Sequence, residues 1–319
     1  MAGGESLRGA LFALAAYAVY STHDVVVKWL GERYSPVQIL FFAMLFGFPL
    51  LTVLMIRDRT DGNLRPRHPW WIALRMVCAV VGTVSAFYAF GVLPLAQTYA
   101  IIFAAPLLIT VLAIPVLGER VGWRRLAAVA VGLGGVLIVL RPGAAPLTLG
   151  HLAALACAIC SAMAGIIVRK IGPEERSSVL LLYPMMGNLI VMGLALPWFY
   201  QPMPALDLGA FALIAGLNLA GTLCIVLAYK AAAAGIVAPM QYSQMLWAIV
   251  YGALFFGEGL DLPTAIGAAV IVGSGLYVVF REDQPNVSPT RPVLGARGRF
   301  VGVLPARIAA IVRTMRGGM

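Results

Sequence analysis

Ten apolar segments recur along the chain, and short stretches rich in charges, Pro and Gly separate them. A hydrocarbon core of about 30 Å needs about 20 helical residues, and each segment is close to that length. The pattern therefore predicts an all-α integral membrane protein with ten transmembrane helices. These predicted spans cover residues 7–29, 36–56, 70–92, 95–117, 123–140, 148–169, 177–198, 208–230, 235–257 and 262–280.

The composition excludes a water-soluble fold. Of the 319 residues, 61% are hydrophobic and 11% are charged, whereas soluble domains are about 45–50% apolar and about 25% charged. The lipid bilayer is therefore the expected surrounding of the chain. The net charge of +10 could indicate nucleic-acid binding, but the basic residues lie between apolar segments and not along one soluble face. No nucleic-acid partner is expected.

The positions of the basic residues predict the orientation. With the N-terminus inside, 20 of the 23 Lys and Arg residues fall in cytoplasmic segments, as the positive-inside rule requires. Both termini are then cytoplasmic, and residues 283–319 form a basic cytoplasmic tail. Within this tail, residues 305–316 are either a basic amphipathic helix on the anionic inner leaflet or a disordered segment.

The chain contains an internal repeat. A shift of 141 residues aligns 9–31 with 150–172 without a gap. Five spans per repeat require the second copy to enter the membrane from the opposite side, and inverted repeats are typical of alternating-access transporters. A duplicated structural scaffold is the alternative. The aligned pairs include Gly9/Gly150, Lys28/Arg169 and Gly31/Gly172 and, at a shift of 139, Gly118/Gly257 and Glu119/Glu258.

Ordered short motifs over roughly residues 7–282 resemble the EamA-type half of the drug/metabolite transporter (DMT) superfamily. The second half departs from the pattern where Met245 replaces Pro106 and where Asp261-Leu262-Pro263 replaces the basic run 123–125. The motifs are Phe87-Tyr88-Ala89, Leu93-Pro94-Leu95-Ala96, Pro106-Leu107, Gly118-Glu119-Arg120, Gly134-Gly135-Val136, Arg141-Pro142, Gly257-Glu258 and Gly273-Ser274-Gly275.

The resemblance implies two EamA-like five-helix repeats, at 1–146 and 147–282, around a central cavity lined mainly by spans 1, 3, 4, 6, 8 and 9. It also implies a secondary transporter of the bacterial inner membrane, without enzymatic activity or cofactor, as a monomer or weak homodimer. Among the branches, the chain looks most like exporters of amino acids and other small metabolites. Uptake, for example of S-adenosylmethionine, and drug efflux are the alternatives.

The first span carries the charged candidates for a binding site. Of 13 acidic residues, Asp24 alone lies within an apolar segment, where a carboxylate normally faces the protein interior or water. Lys28 follows at the favourable i, i+4 spacing. Tyr17 and Tyr20 share this stripe, and His23 lies on its flank. The stripe is either a polar patch for substrate or an Asp24–Lys28 ion pair that holds span 1 to its neighbours.

The ninth span carries a second polar stripe. Gln241, Gln244 and Trp247 recur every three residues, and Tyr242 lies beside them. Trp usually sits at the membrane interface, yet Trp247 falls in the middle of the span, so we expect this stripe to line the cavity. Gln97 and Tyr99 in span 4 are partial counterparts of this stripe. Thr83 and Tyr88 in span 3 and Asn218 in span 8 are weaker candidates, for which interhelical hydrogen bonding is the alternative.

Four other features have simpler interpretations. The three histidines lie in different segments and the four cysteines lie within apolar ones, so no metal site is expected and an integral membrane enzyme is a remote alternative. Arg75 either snorkels to headgroups or contacts an anion. Glycines at 132–135 and 267–275 suit close packing of spans 5 and 10, or a dimer contact. Glu119 and Glu258 are expected to cap their helices.

The orientation can be tested with reporters. A fluorescent protein that matures only in the cytoplasm, fused after Met319, should give a signal, and a periplasmic phosphatase fused there should be inactive. The same two reporters fused after Gly143, in a predicted outer loop, should give the reverse. Phosphatase activity at Met319 would refute either the number of spans or the orientation.

Overall fold

A computed structural model describes residues 2–56, 64–119, 121–143, 146–232 and 234–283. The regular elements of these residues are helices. They are α1 (Ala2–Gly31), α2 (Pro36–Ile56), α3 (Pro69–Val92), α4 (Leu95–Ile102), α5 (Ala105–Leu117), α6 (Trp123–Leu140), α7 (Leu149–Ile171), α8 (Ser177–Phe199), α9 (Ala205–Ala231), α10 (Ala234–Val237), a 3-10 helix (Ala238–Tyr242), α11 (Ser243–Phe256) and α12 (Leu262–Asp283). The predicted tail lies outside the described residues.

In the described part of the chain, eight helical segments are long and apolar enough to cross a membrane, and a shorter apolar helix covers Pro36–Pro49. Large apolar side chains such as Leu152, Leu194 and Leu254 are exposed on these helices, as expected for surfaces that face lipid. The chain is therefore a multi-pass helical membrane protein. Ten crossings and the inward termini stay predictions.

Two of the predicted spans are interrupted in the structure. Span 4 consists of α4 and α5, which meet at Phe103 and Ala104. Pro106 lies in the first turn of α5 and cannot donate a hydrogen bond to the carbonyl of Ile102. Span 9 consists of α10, the 3-10 helix and α11, and Pro239 is the second residue of the middle element. A membrane protein tolerates such breaks where protein surrounds them, and Phe103, Ala104 and Tyr242 are buried.

Helix contacts in the two halves are reciprocal. Helix α1 packs along α9, and the equivalent helix α7 packs along α3, the equivalent of α9. Gly9 leaves no room for a Cβ beside Ala232, and Gly150, 141 residues later, leaves none beside Leu93. These contacts are those expected between two equivalent halves. The in-plane axis that would make the repeats inverted stays a prediction.

The loops after α1 and α7 also make equivalent contacts. The Tyr34 hydroxyl donates to Asp207 Oδ2 at 2.6 Å, which connects the loop after α1 to the start of α9. The backbone N–H of His68 donates to Glu175 Oε1 at 2.6 Å, which connects the start of α3 to the loop after α7. Since the loop residues are 141 apart and their partners 139 apart, the two contacts are equivalent, and each joins one half to the other.

Arg75 does not snorkel. The residue is 1% exposed, and its Nη1 donates to the carbonyl oxygen of Leu180 in α8. Since α3 packs against α8 as well as α7, the guanidinium lies inside the helix bundle and not at its lipid-facing surface. The prediction of a headgroup contact was therefore wrong.

Small residues let α6 and α12 approach closely. A Cβ on Gly135 would lie 2.9 Å from the carbonyl oxygen of Gly267, and a Cβ on Gly267 would lie 2.7 Å from that of Gly135. Ser274 also donates to the carbonyl oxygen of Ala128 across this interface. Of the two interpretations of these glycines, helix packing applies to Gly135 and Gly267, whereas Gly134 has open space around its Cα.

Gly135→Ala should destabilise the protein, because the added methyl group would force α6 and α12 apart. Overpacking of this kind costs about 1–3 kcal/mol, so the thermal unfolding midpoint in detergent should fall. Gly134→Ala is the matched control, since its methyl group meets no neighbour within 4 Å and alanine favours the helix. Equal midpoints for the two variants would contradict this account of the interface.

Candidate functional site

A buried polar cluster joins α1, α4 and α11. Asp24 and Gln244 are each 1% exposed. Asp24 Oδ1 lies 2.8 Å from His23 Nδ1, and Asp24 Oδ2 accepts a hydrogen bond from the Tyr99 hydroxyl. The Gln244 side-chain amide donates to the same Tyr99 oxygen at 3.4 Å. We name these four residues, His23, Asp24, Tyr99 and Gln244, the central cluster; it connects the first half of the chain to the second.

The breaks in spans 4 and 9 position two members of the cluster. Tyr99 lies in the last turn of α4, and Gln244 lies in the first turn of α11. The Tyr99 ring packs against Phe90 at 5.3 Å and Phe103 at 5.6 Å between ring centroids. These aromatic contacts fix the direction of its hydroxyl group, which therefore reaches α1.

An Asp24–Lys28 ion pair was one of the two predicted alternatives for the stripe on α1, and this alternative was wrong. Lys28 Nζ lies 2.7 Å from Glu258 Oε1 and donates to the carbonyl oxygen of Leu93 at 2.6 Å. The i, i+4 spacing allows a local pair, but Glu258 follows the end of α11 and reaches Lys28 in the folded protein. Asp24 is therefore stabilised by hydrogen bonds from His23 and Tyr99, which offset part of the cost of burying its charge.

Two aromatic residues continue the stripe of Gln244 along α11. Trp247 stacks against Tyr251 with ring centroids 5.6 Å apart, and both side chains are partly exposed. Thr22 in α1 donates to the Tyr251 hydroxyl at 3.4 Å. The prediction did not include Tyr251 or Thr22. Helical spacing could have revealed Tyr251, because it lies seven residues after Gln244 and four after Trp247, on the same stripe of α11.

Asn218 is exposed on a face of α9 that is otherwise buried. Phe211, Ile214 and Thr222 share this face at helical spacing and are 0%, 1% and 6% exposed. An exposed polar residue in the middle of an inward-facing stripe indicates that the helices leave an open space there. This placement is compatible with the predicted binding role of Asn218, which stays a prediction.

The tyrosines of the predicted stripe on α1 pack against α9. The Tyr20 hydroxyl lies 3.1 Å from Thr222 Oγ1, and the ring covers Gly221. Tyr17 is 3% exposed and lies in the same apolar cluster as Ile225. Both residues are therefore close to the central cluster in sequence, but their described contacts are with the neighbouring helix.

Several of the other predicted site residues have described contacts with residues outside the central cluster. Gln97 Nε2 lies 3.0 Å from His151 Nε2 at the start of α7, and Thr83 donates to the Ala79 carbonyl within its own helix at 2.6 Å. Tyr242 is buried against Phe103, with ring centroids 5.4 Å apart. Tyr88 and Gln241 are partly exposed. Within the ranges that the structure covers, no group of three or more metal-binding side chains occurs.

A multi-pass helical protein with a buried polar cluster between its two halves has the general architecture of a small-molecule transporter. The chain belongs to the EamA-like transporter family, whose model matches residues 7–141 and 148–281. The resemblance seen in the sequence motifs is thereby confirmed, and the protein is a membrane transporter and not a member of an enzyme family.

Relatives of known transport activity cover nearly the whole chain. The chain is 28% identical to a riboflavin transporter of Rhizobium johnstonii, over 88% of this chain and 94% of the relative. It is 25% identical to an S-adenosylmethionine uptake transporter of Rickettsia prowazekii, over 87% and 94%, and 25% identical to a pseudopaline exporter of Pseudomonas aeruginosa, over 83% and 93%. A solved crystal structure shares the fold with a TM-score of 0.53, at 16% identity, over 88% of this chain and 99% of that one.

Gln244 and Trp247, the two residues of the predicted stripe that lie in α11, should be required for transport. Gln244→Ala removes the amide that contacts Tyr99, and Trp247→Ala removes the aromatic surface next to it. Since an unpartnered buried polar group costs about 1–3 kcal/mol, each change should lower the transport rate about tenfold while expression stays normal. Leu246→Ala is the matched control, because Leu246 is 66% exposed on the opposite face of the helix. Normal flux in both site variants would refute the assignment.

Proposed function

We propose that the protein is a secondary transporter of the inner membrane that carries small metabolites with a cationic nitrogen, amino acids first among them. The observation that carries this proposal is the Asp24 carboxylate, which is 1% exposed and accepts a hydrogen bond from Tyr99, itself a partner of Gln244 in α11. An ionised carboxylate inside a membrane protein normally marks a substrate or ion pathway. The expected direction is export.

The chemistry of the central cluster suits a zwitterionic substrate. Asp24 would accept an ammonium group, and the Gln244 amide would donate a hydrogen bond to the substrate carboxylate. The rings of Trp247 and Tyr251 would cover an apolar or cationic side chain. In this proposal the substrate ammonium group takes the place of the Tyr99 hydroxyl at Asp24.

The proposal includes alternating access by two inverted five-helix repeats, at 1–146 and 147–282. Support comes from the family model, which matches once in each half, and from the reciprocal packing of α1 with α9 and α7 with α3. We expect the transporting unit to be a monomer or a weak homodimer. Both termini would lie in the cytoplasm, as the distribution of basic residues predicts.

Uptake of S-adenosylmethionine or a similar cation is the second candidate function. S-adenosylmethionine combines an amino group with a positively charged sulfonium, and both are attracted by a buried carboxylate. The similarity to the Rickettsia prowazekii uptake transporter favours this candidate. Riboflavin is neutral and would draw mainly on the aromatic rings, so its transport would not depend on Asp24.

Reconstitution of the purified protein into sealed liposomes tests the substrate class. A panel of radiolabelled amino acids, S-adenosylmethionine and riboflavin should give flux for one or more substrates with a cationic nitrogen. Asp24→Asn should lower that flux at least tenfold, because the amide cannot balance the positive charge. Glu174→Gln is the control, since the Glu174 side chain is 65% exposed.

Two outcomes would contradict the proposal. One is flux of riboflavin alone, and the other is unchanged flux of cationic substrates in Asp24→Asn. Uptake into energised inside-out membrane vesicles indicates export from the cell, whereas uptake into right-side-out vesicles indicates import. Uptake by the two kinds of vesicle therefore decides between export and import.

A further inference from the structure

We propose that two equivalent ion pairs, Lys28–Glu258 and Arg169–Glu119, are the gates on the two sides of the substrate path. We name Lys28–Glu258 the outer ion pair and Arg169–Glu119 the inner ion pair. Each closes one side when it forms and must break when that side opens. This inference rests on the proposed transport function and adds to it the residues that close the path.

The outer ion pair joins three elements near the central cluster. Lys28 lies in the last turn of α1, one turn beyond Asp24. Glu258 uses Oε1 for Lys28 at 2.7 Å and Oε2 for the backbone N–H of Leu95, the first residue of α4, at 2.9 Å. The Glu258 carboxylate thus caps α4, while the Glu258 backbone N–H caps its own helix by donating to the Gly252 carbonyl at 2.9 Å. The end of α1, the start of α4 and the end of α11 are held together.

The inner ion pair has the equivalent place in the other half. Arg169 lies in the last turn of α7 and pairs through Nη2 with Glu119 Oε1, just after α5. Lys170 adds a hydrogen bond to the Val116 carbonyl at 2.9 Å. The cations are 141 residues apart and the acids 139 apart, so the internal repeat relates one ion pair to the other.

Two equivalent turns direct the acids. Gly118 and Gly257 end α5 and α11 in the left-handed conformation, with φ of 70° and 63°, which glycine adopts without the strain that a Cβ would cause. The next residue in each case is the glutamate of an ion pair. The backbone therefore places both carboxylates at the ends of the broken spans, where the halves meet.

Each ion pair connects one repeat to the other. Lys28 comes from the first half and Glu258 from the second, whereas Arg169 comes from the second and Glu119 from the first. When the halves separate on one side, the ion pair on that side has to break. Under the predicted topology, α1 and α7 cross in opposite directions, so the two ion pairs lie on opposite sides of the membrane.

The side chains of both ion pairs are largely buried, so the loss of one partner should open that side of the path to water. The Lys28 and Glu258 side chains are 9% and 18% exposed, and those of Arg169 and Glu119 are 19% and 7% exposed. Removal of one partner from a buried pair leaves an uncompensated charge, which strongly favours entry of water. Both ion pairs are formed in this structure and Asp24 is 1% exposed, as expected when both gates are closed.

Accessibility of a single cysteine tests the gates without any substrate. Ser21 lies one turn before Asp24 on α1 and is 1% exposed. Ser21→Cys is introduced into the full-length protein after the four native cysteines are replaced by alanine or serine. A membrane-impermeant maleimide is then added to right-side-out or to inside-out vesicles, and the rate of labelling is measured.

Glu258→Gln and Lys28→Gln should each raise labelling at least fivefold from the outside and leave inside labelling unchanged. Glu119→Gln and Arg169→Gln should each raise labelling at least fivefold from the inside and leave outside labelling unchanged. Arg169→Lys keeps the charge and should label like the parent, and Glu174→Gln, an exposed carboxylate, is the control for charge alone. Thermal midpoints establish that each variant is folded.

Unchanged labelling in all four glutamine variants, or an equal rise from both sides, would overturn the gates and leave the ion pairs as static contacts. A labelling change confined to the expected side supports the gates even if the substrate panel gives no flux. Flux of a metabolite with unaltered labelling supports the transport proposal and refutes the gates. The two proposals can therefore fail separately.

Discussion

A charged or polar group in the hydrocarbon core of a bilayer has no water to bind, so it must find its partner within the protein. Asp24 meets this constraint through His23 and Tyr99, and Lys28 meets it through Glu258 and the Leu93 carbonyl. Apart from His23, which is the neighbour of Asp24 in α1, these partners belong to other helices or to the turns at their ends. Satisfying these groups therefore also determines which helices pack together.

The interrupted helices follow from the same constraint. A break frees backbone groups and is tolerated only where protein surrounds it. Phe103, Pro239 and Tyr242 at the two breaks are buried, and the breaks place Tyr99 and Gln244 next to α1. The irregular backbone and the polar side chains thus occupy one region, and the regular apolar helices face lipid around it.

Hydropathy alone predicted where the long helices lie, because apolar length is a property of each segment. The helix breaks were harder to predict from the sequence, because Pro106 and Pro239 allow a break but do not require one. The partner of Lys28 was missed because the i, i+4 rule considers one helix at a time, and Glu258 lies in the other half of the chain. The repeat contained the necessary information: Lys28 aligns with Arg169, and Glu119 aligns with Glu258. Two aligned cations and two aligned acids permit the reciprocal pairing that the structure has.

Comparison of the two repeats shows which features occur in both halves and which occur in only one. The ion pairs and the left-handed glycines before their acids are duplicated. The central cluster is not, because the positions equivalent to Asp24, Tyr99 and Gln244 are Gly165, Ala238 and Ala105. A gate has to operate on both sides of a membrane, so duplication provides both gates at once. A substrate site between the two gates can serve both sides in turn, and its residues were free to diverge from their copies.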